Sequence, residues 1–385
     1  MQAHALFATA VVTFAAAGIS QLVGQAGPQR QNRTFTAPRF AGSVGHTVEA
    51  LLYNPSVDEV SWRYPADSEL RTRKVEPRFA ICGNGFPDGA FTLNYRIEAG
   101  AKVLYEGRTE LNVSHGVIEK DIKLPGKYPQ ATQVAYELTA ENRPAIKGLV
   151  PLRWSHFRGR LQYVDGRWRP SYINLSPNGF NSLPALYVPV ADDGTFDASV
   201  PARIYAVMNV NGAGYSYDAM ERWAWDYDLH GDREDSFTLG RTELYAMHAF
   251  DIQGPISTVF VAFRPTALSR VLAFDANGDG RVQGEERKTM TAAMKDSPTV
   301  IGPELEAKDV KVWLNGKEER IVQFSKIPEY DGEFWQVQYL LQIFPAPRPE
   351  REVWHEIKVE VKSTEKLRGK EVVDFGQGSV GFYRP

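Results

Sequence analysis

The sequence predicts a mainly β protein built from two or three antiparallel β-sandwich domains with one short helical insert. The chain has 385 residues, which is too long for a single ordinary domain. Hydrophobic residues make up 43% of it and aromatic residues 12%, enough to fill packed interiors. Short segments of alternating apolar and polar residues, punctuated by Gly and Pro, recur along most of the chain and are typical of strands.

The N-terminus predicts export. Residues 5–19 form an apolar run that is too short to span a bilayer comfortably, so residues 1–26 are interpreted as a signal peptide and 27–44 as a flexible leader. An uncleaved anchor is the alternative interpretation. The single cysteine, Cys82, excludes an intramolecular disulfide and is expected to be a small buried residue. We therefore expect a secreted, periplasmic or cell-surface protein of bacterial type.

Residues 45–155 are predicted to form the N-terminal sandwich. Alternation places one set of apolar side chains on one face of a strand, and a second strand repeats the pattern. The two sets are Phe91, Leu93, Tyr95 and Ile97, then Val134, Tyr136 and Leu138.

Residues 156–264 are predicted to form a second β domain. Gly159, the Asp-Gly turn at 165–166, "DDGTF" at 192–196 and the following "VPARIYAV" resemble the carboxypeptidase regulatory-like, transthyretin-like sandwich over about residues 156–212. This resemblance implies a scaffold without catalytic residues. Arg203 and Ile204 depart from it, because they stand where the family usually has a Gly before the Tyr.

The segment 265–298 carries the most specific motif. "DANGDGRVQGEE", residues 275–286, resembles an EF-hand calcium loop, in which oxygen ligands alternate around the ion and a Gly makes the sharp turn at position 6. The resemblance implies Ca²⁺ as the cofactor. The sequence contains no second loop of this kind, so a structural site is expected rather than a sensor pair. Apolar residues at helical spacing flank the loop on both sides, and Pro298 is expected to end the second helix. The implied ligands are Asp275, Asn277, Asp279, the carbonyl of Arg281, Gln283 and Glu286.

Residues 305–385 are predicted to form a C-terminal sandwich. The alternating sets are Val337, Tyr339, Leu341 and Ile343, then Ile357, Val359 and Val361. Their rhythm resembles an immunoglobulin-like domain.

An aromatic and acidic cluster at residues 214–236 is a second candidate site. Flat rings next to carboxylates suit a sugar, because rings cover its apolar faces and carboxylates accept its hydroxyl protons. The alternative is a hairpin with some of these rings in the core. The possible ligand-binding residues are Tyr215, Tyr217, Trp223, Trp225 and Tyr227.

The sequence contains no serine-hydrolase, zinc-protease or phosphate-loop motif. A formal net charge of -3 argues against nucleic acid as a partner. No later segment is long enough to span a membrane. We therefore expect an exported, non-catalytic, calcium-binding structural or binding protein whose partner is a protein or glycan at the cell surface. The alternative is a carbohydrate-binding protein or hydrolase that uses the 214–236 cluster.

Overall fold

The computed structural model describes residues 47–55, 58–63, 70–169, 171–177, 185–212, 215–252 and 258–384. The prediction of a mainly β fold is confirmed. The predicted signal peptide and leader lie outside the described residues.

The N-terminal unit is a sandwich of a three-stranded and a four-stranded antiparallel sheet. The three-stranded sheet has the order β1-β4-β7 and the four-stranded sheet the order β6-β5-β8-β9, while β2 and β3 form a separate hairpin. The predicted alternating sets on β5 and β8 are buried in the core between the sheets. Cys82 is also buried, and its burial raises the pKa of the thiol. The strands are β1 Thr47–Tyr53, β2 Glu59–Arg63, β3 Leu70–Lys74, β4 Arg78–Asn84, β5 Gly89–Ala99, β6 Lys102–Val113, β7 Val117–Lys123, β8 Gln133–Thr139 and β9 Ile146–Pro151.

The second unit packs a three-stranded sheet, of order β13-β10-β16, against four strands of a larger sheet. Gly159 is required where β10 runs beside β16, because a Cβ there would lie 1.7 Å from the backbone oxygen of Asp235. The strands are β10 Trp154–Tyr163, β11 Ser171–Ser176, β12 Leu186–Pro189, β13 Thr195–Pro201, β14 Ile204–Gly212, β15 Arg222–Asp228 and β16 Arg233–Leu239.

The third unit has a four-stranded sheet of order β17-β18-β22-β21, which packs on the other half of the larger sheet. Its core contains the predicted alternating residues of β22 and β23. The strands are β17 Thr242–Asp251, β18 Val259–Ala267, β19 Val310–Leu314, β20 Lys317–Glu319, β21 Ile321–Tyr330, β22 Trp335–Ile343, β23 Trp354–Leu367 and β24 Lys370–Tyr383.

One eight-stranded sheet is shared by the second and third units. Its order is β12-β11-β14-β15-β24-β23-β19-β20, and the two halves join where β15 pairs in parallel with β24. The expected boundary at residue 264 falls inside β18, which pairs with β22 of the third unit. The sequence did not reveal this division because β18 pairs with residues 76 to 84 positions further along the chain.

Two short helices interrupt the strands between β18 and β19. They are α1, Leu268–Leu272, and α2, Glu285–Asp296, and a 3₁₀ turn at Ala307–Asp309 precedes β19. Within the described ranges, neither helix nor any other has the length and apolar character needed to cross a membrane.

Candidate functional site

The loop at residues 275–286 connects α1 to α2 and has a buried carboxylate at each end. Asp275 is 4% exposed and Glu286 is 9% exposed, while Asn277 and Asp279 are exposed. Between them, Val282 is buried in a small apolar cluster with Leu268 and Leu272 of α1. The loop is therefore folded against its own incoming helix.

The carboxylate of Asp275 organises the first half of the loop. It accepts hydrogen bonds from the backbone N–H groups of Gly278 at 2.6 Å and Gly280 at 2.9 Å. Gly280 has a φ of 79°, a conformation that favours glycine and that the motif requires at position 6. Burial by itself raises the pKa of Asp275, but these two N–H donors and a nearby guanidinium outweigh it and lower the pKa overall.

The carboxylate of Glu286 ties the end of the loop to its beginning. It accepts hydrogen bonds from the N–H groups of Ala276 at 2.8 Å and Asn277 at 3.0 Å, and from Gln283 at 3.3 Å. Asp279 accepts a hydrogen bond from the N–H of Arg281 at 2.9 Å. Both end carboxylates are thus held beside the same short stretch of backbone.

Arg368 is the residue of this site that the sequence motif does not contain. It lies in the turn between β23 and β24, and its Nη2 is 2.9 Å from Oδ2 of Asp275 and donates to the Asp275 carbonyl. Its side chain is 48% exposed, whereas that of Asp275 is almost fully buried. The contact joins the loop to the C-terminal hairpin across more than 90 residues of chain, so no local pattern could have indicated it.

The donor atoms of the loop are oxygens, which suit a hard cation, but its carboxylates are not grouped around one point. In the part of the chain that the structure describes, no three His, Cys, Asp or Glu side chains group closely enough to hold a metal ion. The three carboxylates of the implied ligand set, those of Asp275, Asp279 and Glu286, are therefore not drawn together around one point in this structure, and an ion would have to bring them closer. The oxygen-only composition of the loop fits Ca²⁺ better than Zn²⁺.

The aromatic residues of 214–236 do not form one exposed face. Trp223 is 3% exposed and Tyr227 is 2% exposed. Asp226, between Trp225 and Tyr227, has a φ of 50°, which breaks the regular alternation of β15. Trp223 and Trp225 consequently pack against β17, and Tyr227 packs in the core of the second unit.

Tyr215 and Tyr217 are separated from the other three rings. Both pack in the apolar cluster around α1 and Val282, and the guanidinium of Arg281 lies 5.6 Å from the centre of the Tyr217 ring. The five rings therefore lie at three separate packing positions and not on one face. This arrangement fits the alternative of a hairpin with some of these rings in the core, because Tyr215, Trp223 and Tyr227 are buried.

Comparisons with known proteins give little for this chain. No family model matches its sequence, and no curated protein matches it. Among solved structures, two DUF3823 family proteins, from Parabacteroides merdae and Bacteroides ovatus, are each 12% identical to it and cover 59% of this chain and 98% of their own. Their TM-scores are 0.17 and 0.20, so these likenesses carry no inference about fold or function.

Proposed function

We propose that the chain is an exported, non-catalytic β protein in which Ca²⁺ bound by the loop 275–286 has a structural role. The observation that carries this proposal is the placement of the two end carboxylates, Asp275 and Glu286, which are both buried and bonded to the backbone of the same loop. The ligands would be the side-chain oxygens of five residues and one carbonyl, those of Asp275, Asn277, Asp279, Gln283, Glu286 and, through its backbone, Arg281.

The bound ion would supply positive charge between carboxylates that otherwise repel each other. The chain's own residues do the rest: Val282 anchors the loop to α1, and Arg368 connects it to the hairpin of β23 and β24. A loop fixed in this way would hold the helical segment on the third unit. This role fits a single site, because sensor EF-hands work in pairs that expose an apolar groove.

The expected size of the effect follows from mass action. Extracellular sites of this kind bind Ca²⁺ with a Kd on the order of 10⁻⁴ M. At about 10 mM Ca²⁺ the ion would then stabilise the folded state by about 2.7 kcal/mol. That stabilisation corresponds to a rise in Tm of several degrees.

The test is thermal unfolding of the chain in Ca²⁺ and in chelator, with Glu286→Gln as the variant and Glu285→Gln as the matched control. Glu285 is the neighbouring residue and undergoes the same chemical change, but its side chain is exposed and pairs with Lys288 on the surface. We expect Ca²⁺ to raise the Tm of the wild type and of Glu285→Gln equally, and that of Glu286→Gln by less. An identical rise in all three proteins would contradict the proposal.

Export and a protein or glycan partner at the cell surface stay part of this proposal. Exposed apolar side chains on the third unit support a binding role. Phe250 is 46% exposed and stacks on Phe260 with ring centres 5.3 Å apart, and Phe344 is 49% exposed.

A further inference from the structure

A second acidic cluster lies in the interior, where the eight-stranded sheet faces β17. Glu221 immediately precedes β15 and is 2% exposed, and Glu243 is the second residue of β17 and is 4% exposed. Within the described ranges, neither carboxylate takes part in a salt bridge. Two buried carboxylates without a basic partner are unfavourable as they stand, because burial opposes each charge and the charges repel each other.

Strand β14, next to β15 in the eight-stranded sheet, contributes two polar side chains to this cluster. Asn211 continues the register that pairs Asn209 with Trp223, so it lies beside Glu221 and donates an amide N–H to Oε1 of that residue. Asn209 also contacts the Glu221 carboxylate. One oxygen of Glu221 is therefore satisfied by neighbours from β14.

Three oxygens of the cluster have no hydrogen bond to any residue that the structure describes. They are Oε2 of Glu221, Oε2 of Glu243 and the hydroxyl of Tyr245, and all three are buried. Tyr245 is 4% exposed and lies two residues after Glu243 on β17, so the two side chains point to the same face of that strand. The Tyr245 ring is fixed edge-on against the stacked Trp223 and Trp225, at 5.1 and 5.5 Å between centres.

We propose that Glu221, Glu243 and Tyr245, with Asn209 and Asn211 beside them, form an interior site for one hard divalent cation of the calcium class. The three unpartnered oxygens provide an oxygen-only donor set, and the two carboxylates balance the charge of the ion. The two Asn side chains hold the Glu221 carboxylate in place through their amide N–H groups. The absence of His and Cys from this set disfavours zinc and copper. The ion would connect β15 of the shared sheet to β17 of the third unit, at the place where the two units meet.

The site is distinct from the loop 275–286, and the number of bound ions separates the two proposals. The experiment is equilibrium dialysis of the full chain against radioactive Ca²⁺ at about 2 mM, well above the Kd expected for the loop. We expect two ions per chain in the wild type, one in Glu286→Gln and one in the double variant Glu221→Gln/Glu243→Gln. Glu318→Gln, on exposed β20, is the control and is expected to bind two.

Each outcome decides between the proposals. A double variant that folds and binds as many ions as the wild type overturns the interior site. One ion in the wild type, lost in Glu286→Gln, overturns it too and leaves the loop proposal intact. If Glu286→Gln still binds as many ions as the wild type, the loop proposal fails on its own.

A more conservative variant covers the case in which the double variant does not fold. Tyr245→Phe keeps the ring that packs on Trp223 and Trp225 and removes only the unpartnered hydroxyl. We expect it to weaken Ca²⁺ binding at this site by about tenfold, as the loss of a supporting ligand group commonly does. Unchanged affinity of both ions in Tyr245→Phe would overturn the proposal.

Discussion

Glu243 should make the Ca²⁺-free protein less stable as pH rises. Burial raises the pKa of Glu243 to about 8, in spite of the opposing effect of the Trp223 indole, whereas the unfolded chain has the ordinary value of 4.5. The folded state therefore holds this proton more tightly than the unfolded state does. The contribution to stability is fully present below about pH 4.5 and is lost as pH rises through about 8.

The magnitude follows from the two pKa values. Each pKa unit corresponds to about 1.4 kcal/mol, so a difference of about 3.5 gives a loss on the order of 5 kcal/mol between pH 4.5 and pH 8. Glu221 adds to this trend, because burial and then the charge of Glu243 raise its pKa as well. Replacing Glu243 by Gln removes the titration and keeps the shape of the side chain.

The assay is urea unfolding in chelator between pH 5 and pH 9, on the wild type, Glu243→Gln and the exposed control Glu318→Gln. Near pH 5 we expect Glu243→Gln to be about as stable as the wild type. Near pH 8 we expect it to be more stable by up to about 5 kcal/mol, because only the wild type carries the buried charge. Parallel pH curves for the wild type and Glu243→Gln would refute the reasoning, whatever the curve of the control.

Two further substitutions test contacts on either side of the shared sheet. Gly159→Ala should destabilise the second unit by about 3 kcal/mol or more, because the new Cβ would meet the backbone oxygen of Asp235. The control Gly231→Ala has open space around its Cβ and should change the free energy of unfolding by less than about 0.5 kcal/mol. Equal urea midpoints for the two variants would contradict this expectation. Arg368→Gln should lower the stability of the Ca²⁺-free protein by only about 1 kcal/mol, since the half-exposed ion pair with Asp275 is partly screened. The same variant should bind Ca²⁺ more tightly, because it lacks a positive charge that competes with the ion for Asp275. A weaker affinity in calorimetric titration would show that Arg368 supports Ca²⁺ binding by the loop.

The strands were largely predictable because their signal is local. Alternation identified the core faces of β5, β8, β22 and β23, since every second residue of a strand must face the same layer. The helices on both sides of the loop 275–286 also followed from local spacing. In each case the deciding residues lie within a dozen positions of one another.

The arrangement of the sheets was not predictable, because it depends on distant residues. Nothing local to Trp223 indicates that it pairs with Gly378, and this pairing merges two expected domains into one sheet. The packing of the aromatic cluster was not predictable for a related reason. A positive φ at Asp226 breaks the alternation on which a single ligand face depends, and the packing of β17 covers Trp223 and Trp225.

Asp374 links the two proposed ion sites to the same part of the fold. It is fully buried on β24, accepts a hydrogen bond from Ser269 of α1, and pairs with Arg241 at 3.1 Å, directly before β17. The loop 275–286 therefore begins a few residues beyond one partner of Asp374, and Glu243 follows the other by two. Two buried carboxyl groups, those of Glu243 and Asp374, thus lie where α1, β17 and β24 meet, and apolar side chains fill the sandwich cores on either side. Because buried charges cost far more to leave unpaired than apolar contacts cost to shift, cations and protons should act chiefly on the connection between the second and third units, and the cores should respond little.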